Sequence, residues 1–166
     1  MLMISVLVKI TSSGPVIFWS DRIGKNGVIF KMPKFRSMVL KTPDIATHLL
    51  KNPEQYLSPI GGFIRKTSLD ELPQLFSILI GQMSFVGPRP ALHSQTDLES
   101  LRKKFYIDTI KPGITGLAQI NGRDMISIEK KVEFDKLYLE TMSIKVDLKI
   151  IWQTVLSVTK CKQVSH

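Results

Sequence analysis

Arg65-Lys66-Thr67-Ser68-Leu69-Asp70-Glu71-Leu72-Pro73-Gln74 sets two cations ahead of two adjacent carboxylates and a proline, where the chain turns to a helical pattern. Leu72, Leu75, Phe76, Leu79 and Ile80 recur at spacings of three, four, seven and eight, which predicts an amphipathic helix with a core-facing stripe. Two readings of its start compete. In the first, Ser68-x-x-Glu71 is a capping box that satisfies free N–H groups of the first turn. Against it, a cap at Ser68 puts Pro73 at the fifth helical position, where its ring collides with a carbonyl one turn back. In the second, the helix starts near Asp70, whose ionised form the helix dipole stabilises and beside which N–H groups can hold a phosphate. An ionised carboxylate attacks phosphorus without a separate base, and Arg65 or a divalent cation offsets its repulsion with an anionic substrate.

Upstream, Val16 to Trp19 and Val28 to Lys31 are β-rich runs joined through Gly24-Lys25-Asn26-Gly27, a hairpin signal because Asn and Gly tolerate positive φ. Lys34 and Arg36, two apart, share a face if the strand continues, and by charge pattern alone that face is a solvated edge. Between Pro43 and Pro53, Ile45 to Leu50 reads as a short helix. His48 within it has no Cys or second His at ligand spacing, so it reads as a surface or capping histidine. The apolar run Met1 to Ile10 falls short of the roughly 20 residues of a spanning helix and lacks a secretory leader. It is either a buried strand or the end of a longer membrane segment.

Downstream, Gly87-Pro88-Arg89-Pro90 fixes an arginine between two prolines. Its guanidinium is either a preorganised phosphate contact or part of a rigid surface turn. The stretch from Lys111 to Asp124 is dense in glycine and amides and includes Arg123, but matches no Walker or dinucleotide fingerprint. Leu98 to Phe105, Ile128 to Tyr138 and Val146 to Val158 read as helices. The last of these carries Trp152 and either packs on the domain or lies in a membrane interface.

The 166 residues, 43% of them hydrophobic, suffice for one domain with a core. Twenty-three Lys and Arg against 14 Asp and Glu give a net charge of +9, and the pI near 9.7 implies an anionic partner. A nucleic-acid module fits poorly, because only 8% of residues are aromatic and no recognition motif is present. The lone Cys161 cannot form an internal disulfide, so the cytosolic side is the default.

Lys34-Phe35-Arg36-Ser37-Met38, Ser68 to Gln74, Phe85-Val86-Gly87-Pro88-Arg89-Pro90 and Lys111 to Gly116 continuing to Asn121-Gly122-Arg123 together resemble the bacterial sugar transferase family. Its members are monotopic polyprenyl-phosphate phosphoglycosyl transferases that initiate capsule, exopolysaccharide, O-antigen or glycoprotein glycan assembly. The resemblance implies that Asp70 is the nucleophile toward a UDP-sugar, releasing UMP and holding the sugar phosphate until polyprenyl phosphate displaces it. It makes Glu71 the second acid of a dyad that holds Mg²⁺ together with Asp70. Lys34, Arg65, Arg89, Arg123 and Asp135 are then the residues lining the site toward the phosphates. The expected fold is α+β, a mainly helical single domain with a small N-terminal β-hairpin, in a monotopic arrangement with helices at the membrane plane. Residues 1–10 are expected to be the remnant of a membrane segment and residues 11–160 the catalytic domain. Inner-membrane lipids at the cytoplasmic face are the expected surroundings, nucleic acid is excluded as a partner, and a homodimer is counted as possible. The alternative is a truncated, non-catalytic membrane-surface binding protein.

Overall fold

The computed structural model describes residues 1–43, 50, 52–122 and 125–159. The short helix expected at Ile45 to Leu50, His48, Arg123 and Cys161 therefore lie wholly or mainly outside the described residues. Among these residues the architecture is mixed helix and strand, with two small sheets. Among the described residues no helix is long and apolar enough to cross a membrane.

The opening apolar run is a helix, α1 (Leu2–Thr11), and not a buried strand. The reason is periodicity: Ile4 and Val8, four apart, are buried on one face, while Leu2, Met3, Val6 and Ile10 remain exposed. Past its end the chain turns at Gly14, with φ +109°. Arg36 grips this end, donating to the carbonyls of Ser13 at 2.6 Å and Ser12 at 2.9 Å. A cation at those oxygens complements the negative end of the helix dipole.

Strands β1 (Ile17–Ile23) and β2 (Ile29–Phe35) form the expected antiparallel hairpin, with Ile17 opposite Phe35 and Ile23 opposite Ile29. Its connector uses Asn26 at φ 56° and Gly27 at φ 76°, the positive values that the Asn-Gly pair makes cheap. Strand β2 is an edge, so Pro33 costs the sheet no inner hydrogen bond. Phe30, Met32 and Lys34 alternate onto one face; Phe30 and Met32 are buried there with Met83, and Lys34 is carried inward beside them. The solvated-edge expectation for Lys34 and Arg36 is thus corrected. Lys34 pairs inside the protein and Arg36 is buried.

Helix α2 (Gly61–Lys66) leads into a single 3-10 turn, Leu69–Glu71, and then α3 (Gln74–Leu79). Two further strand pairings exceed the hairpin expected from sequence. Strand β3 (Ser84–Val86) runs parallel to β5 (Gly113–Thr115), and β4 (Ala91–Leu92) adds to β1. With two or three residues each, these strands are too short to develop a period. The glycines of the 111–122 stretch serve close backbone packing: a Cβ on Gly113 would lie 2.2 Å from the Gly87 nitrogen, and one on Gly116 would lie 2.1 Å from the Gly87 oxygen.

Helices α4 (Thr96–Lys104) and α6 (Ile128–Thr141) pack around Leu98, Ile107 and Val132. Ser127 caps α6 by accepting from the Lys130 N–H at 3.3 Å. The short α5 (Leu117–Ile120) leads from β5, and α7 (Ile144–Thr159) closes the fold on Val86 and Tyr138 through Ile150 and Ile151. Helix α7 packs on the domain through buried Ile150, as one of its two readings expects, while Leu148 and Trp152 are exposed.

The apolar stripe of α3 runs against expectation. Leu75, Phe76, Leu79 and Ile80 face outward, Leu79 with 83% of its surface exposed, while Gln74 and Ser77 are the buried positions. Periodicity identifies residues that share a face without identifying what covers it.

Candidate active site

The carboxylate pair sits on the 3-10 turn between α2 and α3. Ser68 has φ 55° and makes no side-chain cap, so no capping box forms. The α-helix begins only at Gln74, with Pro73 just ahead of it, where its missing N–H and fixed φ do no harm. Asp70 is therefore not at an α-helix N-terminus; both expected starts are displaced toward the C-terminus. Leu69 and Leu72 flank the pair and pack into the core of Ile4, Val8, Phe35 and Ile64, which anchors the turn on both sides. Asp70 and Glu71 are both buried, Asp70 with 5% of its surface exposed.

Glu71 is where the segments converge. Its Oε1 accepts from Lys34 Nζ at 3.0 Å and from the Arg89 guanidinium at 3.5 Å. Burial lowers the Lys34 pKa from its ordinary value; Glu71 and Asp70 oppose that shift, and Arg89 and Arg22 reinforce it. Lys34, Asp70, Glu71 and Arg89, drawn from three separate sequence motifs, are thus one electrostatic cluster. Arg65 is buried on the last turn of α2, one turn ahead of the dyad.

A cleft of about 260 Å³ opens beside the cluster, with Ser68, Glu71, Arg89, Thr115 and Gln119 among its polar lining. Leu72 and Leu75, Phe85, and Ile151 and Val155 of α7 supply apolar wall. Thr115 and Thr154 hydroxyls meet at 2.6 Å across it, tying β5 to α7. Both amide atoms of Gln119 are buried without a hydrogen-bond partner among the described residues, a state that costs about 1–3 kcal/mol per group and that a polar ligand can relieve. Nothing in the sequence set Gln119 apart from its amide neighbours.

Asp135 does not line this cleft. It is 1% exposed and takes two hydrogen bonds from Arg102, at 3.1 Å from Nε and 2.7 Å from Nη2. Burial raises its pKa, and Arg102 pulls against that shift. Arg102 also donates to the Arg89 carbonyl at 2.9 Å, so Asp135 reaches the site through Arg102. Arg22 donates to the Pro90 carbonyl at 3.2 Å. Sequence reasoning passed over both arginines. The available signal was helical spacing, which puts Arg102 on the same face as buried Leu98.

Comparison with known proteins settles the family. A family model described as bacterial sugar transferase matches residues 1–161. The chain belongs to the bacterial sugar transferase family. Among relatives of this sugar transferase, a UDP-glucose:undecaprenyl-phosphate glucose-1-phosphate transferase of Klebsiella pneumoniae is 47% identical, over 93% of this chain and 35% of the relative. The exopolysaccharide production protein ExoY of Rhizobium meliloti is 38% identical, over 93% of this chain and 74% of that protein. An undecaprenyl-phosphate galactose phosphotransferase of Salmonella typhimurium is 37% identical, over 92% of this chain and 35% of the relative. The chain thus spans about a third of the length of the glucose and galactose enzymes.

Proposed function

We propose that the chain transfers a sugar 1-phosphate from a UDP-sugar to a polyprenyl phosphate, as an early membrane step of extracellular or surface glycan synthesis. The observation that carries this reading is the ion cluster of Glu71 with Lys34 and Arg89 beside a cleft whose remaining wall is largely apolar. Fixed cations suit a diphosphate, and apolar walls suit an isoprenoid. The relatives, a UDP-glucose:undecaprenyl-phosphate glucose-1-phosphate transferase and an undecaprenyl-phosphate galactose phosphotransferase, are named for the same chemistry.

The proposed chemistry balances in two displacements. The Asp70 carboxylate attacks the phosphorus bearing the sugar and breaks the phosphoanhydride bond, so UMP leaves with the bonding electron pair. A phosphate oxygen of the polyprenyl carrier then attacks the same phosphorus, forming the lipid-linked diphosphate sugar and regenerating the carboxylate. Lys34 and Arg89 hold phosphate oxygens and spread their charge, and Arg65 adds a third cation near the dyad. Glu71 orients Lys34 and Arg89 through the two contacts already described.

Among the described residues no group of three or more acidic, His or Cys side chains could cage a metal. The adjacent carboxylates of Asp70 and Glu71 nonetheless suit Mg²⁺, which is held by one or two carboxylates with waters and substrate phosphates completing its shell. When bound there, Mg²⁺ supplies charge neutralisation of the diphosphate.

Exposed apolar side chains on α3, together with Phe85 and Trp152, adjoin the cleft-lining segments. With the net charge of +9, they favour peripheral association with an anionic membrane, for which the cytoplasmic face of the inner membrane is the proposed location.

The test is UMP release from a panel of UDP-sugars with Mg²⁺ and polyprenyl phosphate. Asp70→Asn is expected to abolish release and the covalent label. Wild-type turnover in that variant overturns the assignment of the nucleophile. Vesicle binding without UMP release by any wild-type preparation would favour a non-catalytic surface protein instead.

A further inference from the structure

Arg102 is buried on the last turn of α4, between two buried carboxylates. Its Nε and Nη2 go to Asp135, and Nη1 lies 3.4 Å from Glu99 Oε1 and 2.9 Å from the Arg89 carbonyl. Taking three charges out of water is costly, and such a triad is often no more stabilising than apolar residues of the same volume. Net stability therefore gives a weak account of the arrangement. Its geometric result is specific: a guanidinium with fixed orientation is aimed at one backbone oxygen, that of the arginine which reaches the dyad.

The segment it holds needs outside support. Pro88 and Pro90 have no N–H, so the turn has few donors of its own and its carbonyls are the available handles. All three consecutive carbonyls are taken: Pro88 by the Gly113 N–H at 2.9 Å, Arg89 by Arg102, and Pro90 by Arg22 at 3.2 Å. Two of these three holds are arginine side chains from different elements, α4 and β1.

We infer that Arg102, itself oriented by Asp135, is a positioning residue of the transferase site, which fixes the Arg89 backbone so that its guanidinium meets Glu71 and an incoming diphosphate. The inference rests on the reading of Arg89 as a diphosphate contact.

A double-mutant cycle on the full chain tests it, using Arg102→Lys and Arg89→Ala singly and together. It is read in kcat/KM for UMP release and in the Kd for UDP, with Tm recorded for each protein. Lysine has one compact ammonium and cannot serve Asp135 and the Arg89 carbonyl in the same fork geometry. With Arg89 present, Arg102→Lys is expected to weaken UDP binding and kcat/KM about tenfold, and with Arg89→Ala it is expected to change either by less than about twofold. Equal losses in both backgrounds mean a merely structural role and overturn the inference. Should Arg102→Lys fail to fold, Asp135→Asn keeps the side-chain shape and one acceptor oxygen and carries the same cycle. A wild-type protein that neither binds UDP nor releases UMP overturns the reading of the site and the inference with it, whereas an active wild type with additive losses overturns the inference alone.

Discussion

Replacing Phe76, Leu79 and Ile80 together by glutamine tests whether the outward stripe of α3 enters a membrane surface. These side chains are 56%, 83% and 52% exposed, equivalent to about two complete apolar side chains facing water. Burying one such side chain fully is worth about 1.5–3 kcal/mol, so complete immersion of the stripe would contribute about 3–6 kcal/mol. A helix lying at headgroup level buries about half of that surface, leaving about 1.5–3 kcal/mol, or about tenfold to a hundredfold in vesicle partitioning. Co-sedimentation with vesicles containing or lacking anionic lipid separates this term from the attraction of the basic surface, because the apolar loss persists in neutral vesicles and at high salt. Since the three side chains are exposed, the Tm of the variant should stay near that of the wild type. Equal sedimentation of variant and wild type in both vesicle types, at unchanged Tm, would refute the assignment of this face to the membrane.

Two further outcomes concern the frame that holds the site. Tyr138 donates to Asp147 at 2.8 Å, and burial, reinforced by that carboxylate, raises its pKa above the ordinary 10.0. A raised folded-state pKa stabilises fully below pH 10.0 and is lost as pH climbs through the folded value. Tyr138→Phe should therefore cost about 0.5–1.5 kcal/mol in denaturant unfolding at neutral pH, with the difference shrinking above pH 10.0; a difference that grows there would contradict this sign. Gly116→Ala forces a methyl to 2.1 Å from the Gly87 oxygen, and should cost about 1–3 kcal/mol together with loss of UMP release as the proline-flanked turn shifts. Unaltered Tm and turnover in that variant would show that the turn yields without consequence.

What the sequence disclosed depended on the length and period of each element. The Asn-Gly hairpin and helices α4, α6 and α7 were legible because each carries enough residues for turn chemistry or a 3.6-residue repeat to stand out. Strand β4, two residues long, and the three-residue strands β3 and β5 are set by pairing with distant partners, which no local window contains. The α3 stripe was legible as a face and misjudged as to what faces it. Pro73 correctly argued against an α-helix running through the dyad, yet the chain resolves the conflict with a 3-10 turn that places neither carboxylate at an α-helix N-terminus. Asp135 was singled out through family resemblance as lining the site, whereas its partner Arg102 looked like one cation in a basic run.

The place of Asp135, behind Arg102, shows how the site is constructed. Lys34 comes from an edge strand, Arg89 from a turn between two short strands and Glu71 from a 3-10 turn, so no single element fixes their spacing. Each is instead secured by a structural neighbour: Lys34 by the alternation that buries Phe30 and Met32, Glu71 by the leucines on either side of the dyad, and Arg89 by carbonyl contacts from Arg102, Arg22 and Gly113. Glu71 pairs with Lys34 and Arg89, and the proposed nucleophile, Asp70, is its neighbour on the same turn. The chemistry proposed for Asp70 thus depends on residues whose own roles are positional, and the buried Arg102–Asp135 pair acts through the Arg89 backbone.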